Sequence, residues 1–186
     1  MVDCLPGTQI EADFSDPRNL KIIFTGIFAS GGLLLSQVSA MSGIELHTIQ
    51  NWVKRGYCSS PVNKKYTERQ FCRLIIINML KDVMHINDAT TLLSKINGHL
   101  DDESDDMISD ADLYAYFVYS ICELFQSGGI PSETEIKAAV KNAVKEYKEP
   151  FAGGAKRLEK VLRIMVYAYF SKEFQKKALL GLSEIE

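Results

Sequence analysis

Apolar residues recur at helical spacing through most of the chain, and short clusters of Gly, Pro, Ser and Asn interrupt them. From Leu35, Val38 and Met41 give one apolar stripe, and Gly43 marks a sharp turn where a positive φ is tolerated. Ser36 suits the N-cap of this first short helix, because its hydroxyl can accept from a free amide of the first turn. Ile44 then drops inward, and a second short helix turns Ile49, Trp52 and Val53 to the core. Thr67 with Gln70 makes a capping box that opens a longer helix, on which Leu74-Ile75-Ile76-Ile77 and Met79-Leu80 form an apolar face. Asn87 or Asp88 caps a helix through Ala89, Leu92, Leu93 and Ile96, stopped by Asn97-Gly98. Beyond Asp112 the pattern gives three more helices. One runs through Leu113, Phe117, Ile121 and Phe125 and stops at Ser127–Pro131. One opens on a Ser132/Glu135 capping box, and the last covers about Ala155 to Ala178. Short polar connections between them imply an antiparallel bundle.

The predicted fold is therefore all-α, with a possible small β wing where Pro61, Asn63 and two lysines punctuate the chain before Thr67. Residues 1 to about 19, with Pro6, Gly7, Asp16 and Pro17, read as a poorly structured arm. Leu20 to Phe28 reads as a short helix or strand packed against the helix-turn-helix region, and Ser30-Gly31-Gly32 as a hinge-like turn. The expected units are an arm and packing segment (1–32), a helix-turn-helix domain (33–98), an acidic linker (99–112) and a C-terminal bundle (113–186) for dimerisation or ligand sensing.

Charge sharpens this picture. The chain carries −3 overall, yet Glu45 to Arg73 holds six Lys or Arg against two Glu, a local +4. A basic module on an acidic protein is the footprint of localised phosphate binding. On the second short helix, His47, Thr48, Gln50 and Asn51 are left facing outward with Lys54. Gln and Asn can pair bidentately with adenine, and Thr can touch a thymine methyl, so these four are the expected base-reading residues. Lys54, Arg55, Lys64, Lys65, Tyr66, Arg69 and Arg73 are the expected contacts to the DNA backbone.

Leu35-Ser36-Gln37-Val38, Gly43-Ile44, Thr48-Ile49, Trp52, Lys54-Arg55-Gly56-Tyr57, Pro61, Tyr66 and Arg73-Leu74 together resemble the winged helix-turn-helix of the MerR family of bacterial regulators. The resemblance implies groove-facing positions at His47, Thr48, Gln50 and Asn51, and a wing at Lys64, Lys65 and Tyr66. The run from Ile96 to Asp106 looks like a bacterial family of unknown function that carries a MerR-like head. Glu45 stands where the MerR pattern usually has Ser or Thr, and Asn51 replaces a common aromatic. Effector and dimer geometry do not carry over.

Other chemistries find little support. Cys4, Cys58, Cys72 and Cys122 are scattered and read as idle thiols rather than a zinc or redox set. His99 to Asp112 holds seven acids and no base, without the glycine or closing glutamate of a calcium loop, and reads as a solvated segment. The glycines at 31 and 32 lack the lysine of a P-loop. No nucleophile–base order or paired carboxylate suggests an enzyme. Aromatics from Tyr114 to Phe170 at helical spacing read as core or dimer surface. The run Val161 to Phe170 is too short for a membrane span, and the acidic start is no signal segment. The expectation is a cytoplasmic, cofactor-free regulator that binds double-stranded DNA as a homodimer, with a possible small-molecule effector in the bundle. The alternative is an adaptor whose head binds protein.

Overall fold

The computed structural model describes all residues except 1, 14–18, 99, 101, 128–129 and 186. Asp16 and Pro17 of the expected arm, His99 and Asp101 of the acidic stretch, and the Gly128-Gly129 stop lie outside the described residues. The fold is mostly all-α, with eight α-helices and two small two-stranded sheets among the described residues.

Residues 2–13 are ordered, which corrects the expected arm over that stretch. β1 (Val2–Cys4) pairs antiparallel with β2 (Glu11–Asp13), Val2 opposite Asp13. A hairpin this short does not stand alone in water. It is fixed from outside: Leu5 and Ala12 are buried, the Tyr114 hydroxyl donates to the Pro6 carbonyl at 2.8 Å, and the Gln9 amide donates to the Met41 carbonyl at 2.7 Å. α1 (Asn19–Phe28) buries Leu20 and Phe24, and the Phe24 ring stacks on Tyr114 at 5.9 Å.

Next come β3 (Leu33–Leu34), α2 (Leu35–Ser42), α3 (Leu46–Lys54), β4 (Lys65–Tyr66) and α4 (Glu68–Leu80). β3 pairs antiparallel with β4, Leu33 opposite Tyr66. Gly32 precedes this pair at φ 120°, where a Cβ would stand 2.9 Å from the Tyr66 carbonyl oxygen, so only glycine fits. The expected Ser36 cap is corrected: α2 begins at Leu35, and Gln37 Oε1 closes its start by accepting from the Leu34 amide at 2.8 Å. The Thr67 box is present, with Thr67 Oγ1 accepting from the Gln70 amide and Gln70 Oε1 from the Thr67 amide. Ten of the thirteen residues of α4 are buried, which makes it the central helix of the molecule.

α5 (Ile86–Ser94) starts after His85 rather than at an Asn87 or Asp88 cap. α6 (Asp110–Ser127), α7 (Glu133–Ala143) and α8 (Gly154–Ser183) pack on one another, and α6 and α8 also pack on α4. Ser132 and Glu135 cap α7 as the sequence predicts. One continuous hydrophobic cluster runs from Leu5 to Ala168. The described part of 99–112 is therefore no break in packing: Met107 and Ile108 are buried, and the Tyr147 hydroxyl donates to the Met107 carbonyl at 2.8 Å.

Candidate nucleic-acid interface

α3 is amphipathic in the strict sense. Ile49 and Trp52 are buried beneath it, while His47, Gln50, Asn51 and Lys54 are exposed on the opposite side. At 100° per residue those four fall within about one third of the helix circumference. Thr48 is half-buried at the edge of this face. The turn before α3 is set by Gly43 at φ 70°, whose amide donates to the Ser39 carbonyl at 2.9 Å. Gly56 at φ 73° ends the helix, its amide donating to the Val53 carbonyl at 3.0 Å.

After α3 the chain forms a two-residue hairpin. Val62 and Lys65 exchange backbone hydrogen bonds of 3.1 and 2.9 Å, and Asn63 and Lys64 between them lie at φ 52° and 63°. Two successive positive φ values define a type I′ turn, whose twist matches that of the flanking strands. Lys64 is exposed at the tip, with Lys54 and Arg55 exposed nearby in sequence at the end of α3.

The other expected backbone contacts are used inside the protein. Tyr66 is 3% exposed and belongs to the core under β4. Lys65 is half-buried, and its ammonium donates to the Ser30 carbonyl at 2.6 Å. Arg69 pairs with Asp106 at 2.5 Å and lies 3.7 Å from Asp110. Arg73 is 5% exposed; its Nε donates to the Tyr57 carbonyl at 2.7 Å and its NH1 to both Asp110 oxygens at 3.3 Å. Tyr66 and Arg73 are thus corrected from phosphate contacts to structural groups, Tyr66 because its ring is part of the core and Arg73 because a buried cation must spend its charge on a buried partner; Arg69, partly buried, is ion-paired within the protein.

Sequence reasoning missed the partners. Asp110, almost wholly buried, also accepts from Asn97 Nδ2 at 2.9 Å. Burial pushes its carboxyl above the ordinary carboxylate value, even though Arg73 and Arg69 pull it down. Gln70, read only as half of a capping box, also donates Nε2 to the Ser59 and Ser60 carbonyls at 3.1 and 2.9 Å, which fixes the loop leading to the hairpin. Burial raises the Cys58 thiol in the same loop to about 12, which removes it as a nucleophile at neutral pH. Among the described residues no three His, Cys, Asp or Glu converge as a metal site. Among them, too, no helix is long and apolar enough to cross a membrane.

This geometry occupies one continuous stretch of chain. Residues 33–117 match the family described as Domain of unknown function (DUF1836). The DUF1836 stretch opens at β3 and closes within α6, so it takes in the helix pair, the hairpin and Asp110 but leaves out α7 and α8. The match supports an uncharacterised family over this stretch, which in this chain holds both Arg73 and Asp110. No curated protein and no solved structure matches the chain.

Proposed function

We propose that the protein is a non-enzymatic, sequence-specific regulator of transcription that binds double-stranded DNA in the cytoplasm. In this reading α2 and α3 form a MerR-like helix-turn-helix, α3 lies in the major groove and the hairpin tip grips the flanking backbone. The observation that carries it is the exposed face of His47, Gln50, Asn51 and Lys54 opposite buried Ile49 and Trp52, in a chain that also exposes Lys64 at a hairpin tip. Lys64 adds weight, since a left-handed lysine costs about 1–2 kcal/mol and such strain clusters at functional sites. With Arg69 and Arg73 withdrawn, the grip falls to Lys54, Arg55 and Lys64, with Lys65 beside them.

The protein acts as a homodimer, because one reading helix spans too few base pairs for useful specificity. A small-molecule effector has room in the cavity of about 370 Å³ between α1, the start of α4 and α6. Phe24, Tyr116 and Tyr119 give it aromatic walls, and Glu68 and Asp112 give it charge. The adaptor reading draws on Leu46 and Val62, apolar yet 45% and 68% exposed on the same module.

Duplex binding at several salt concentrations separates the two. Replacing Lys54, Arg55 and Lys64 with Ala weakens binding to all duplexes, and each lost phosphate contact lowers the log–log salt slope by about 0.9. Gln50→Ala or Asn51→Ala instead relaxes preference at particular base pairs, by about 1–3 kcal/mol on a selected site. A triple variant that binds as tightly as the native protein at low salt would sink the DNA reading and leave the adaptor.

A further inference from the structure

The two long faces of α8 have different surroundings. Tyr169, Lys172, Glu173 and Lys176 face the N-terminal hairpin across a cavity of about 320 Å³, and Lys172 is ion-paired with Asp82. The opposite face carries Ile164, Tyr167, Ser171, Phe174, Ala178 and Gly181, spaced alternately by three and four residues. Ile164, Tyr167 and Phe174 remain 37%, 44% and 39% exposed. A sustained three-four spacing is the seam of a left-handed pair of helices. Past Phe174 the helix runs on with Leu179, Leu180 and Leu182 exposed, an apolar end that does not rest on its own chain. Beside the start of the stripe, Ile130, Pro131 and Ile136 complete an open groove with Tyr167 and Phe174.

We infer that this stripe is a self-complementary seam for a second copy of the chain, the two α8 helices running antiparallel about a two-fold axis near Phe174. The inference rests on the homodimer within the proposed function and gives it a surface and an orientation.

Size and charge both select the antiparallel arrangement. With Phe174 meeting its counterpart at the centre, Ser171 falls opposite Ala178 of the second copy and bulky Tyr167 opposite Gly181. A parallel pair would set tyrosine on tyrosine and glycine on glycine, crowding one level and leaving a void at the other. Antiparallel pairing also brings Arg163 beside Glu184 of the second copy, twice by symmetry, whereas parallel pairing leaves the two at opposite ends of the seam. The exposed leucine end of each helix then lies along the groove beside Tyr167 in the other copy. A two-fold contact of this kind is closed, so assembly stops at two.

Sedimentation equilibrium of the full chain tests this. The native protein sediments as a dimer of the 20.9 kDa chain. Phe174→Glu raises the dissociation constant by about tenfold or more. Arg163→Glu and Glu184→Arg each weaken the dimer, and the double variant regains native affinity within about twofold. In a parallel dimer these residues stand about 30 Å apart, so the double variant shows no rescue, and that result overturns the orientation. A native protein that stays monomeric at about 100 μM overturns the seam itself. The DNA reading is scored separately: a dimer with the expected rescue that binds no duplex keeps the seam and loses that reading. A monomer with salt-dependent duplex binding does the reverse.

Discussion

Arg73 shows how far a residue's role is set by the groups that fold against it. Its place in the basic stretch suggests a phosphate contact, yet its guanidinium lies between the Tyr57 carbonyl and Asp110, 37 residues away along the chain. Nothing local in the sequence names that partner; the only signal is an acid at the first turn of a helix, which reads equally well as a solvated dipole partner. Arg73→Met leaves a buried carboxylate without its nearest cation, and urea denaturation should find a loss of about 3–5 kcal/mol at neutral pH. Asp110 already stands above its unfolded value, and removing the arginine raises it further. A carboxyl raised in the folded state favours folding at low pH and disfavours it as pH climbs through the raised value. The deficit of Arg73→Met should therefore shrink as pH falls toward the ordinary carboxylate range and grow as pH rises above it. Adding Asp110→Asn should recover part of it. A deficit independent of pH would mean that the arginine contributes packing alone.

Among elements, legibility followed how local each element's cause is. The glycine turn between α2 and α3, the Thr67 and Ser132 boxes and the inward set Ile49 and Trp52 were readable because each depends on residues within one or two turns. The hairpin at Asn63-Lys64 was readable as a loop or short hairpin but not by its turn type, since its second residue is not the glycine that a type I′ turn prefers. The N-terminal hairpin was not readable at all: three-residue strands carry no period, and what orders them is Tyr114, more than a hundred positions away, and Met41. The lysine at the tip invites a test at this scale. Lys64→Gly relieves its left-handed backbone and should raise stability by about 1 kcal/mol in thermal or urea melts, while weakening duplex binding at low salt. A variant that is both less stable and unchanged on DNA would remove the tip's proposed role.

For the whole molecule, the expectation of two packing units met a single core. α4 is buried on nearly every side because α2, α5, α6 and α8 pack on it and Phe24 and Phe28 of α1 meet Phe71, and no sequence period reveals that these elements share one helix. The thiols give this a direct measure. Cys4 is exposed while Cys58, Cys72 and Cys122 are buried. Burial holds Cys58 and Cys122 near 12 and 11 and keeps Cys72 well above an ordinary thiol. Titration of the native protein with a thiol reagent should give one fast equivalent, and the other three should appear together with global unfolding, as a cooperative core requires. Three separate slow phases would indicate that the bundle opens independently of the head.

The same clamp makes the molecule a transmission. Arg73 holds the exit of α3 with one nitrogen and the entrance of α6 with another, so the two elements share one guanidinium. The cavity beside Ala111 and Asp112 opens on that same first turn. A molecule seated there and a duplex seated on α3 would be thermodynamically linked through one guanidinium. Whatever factor the first imposes on the affinity of the second, the second returns to the first.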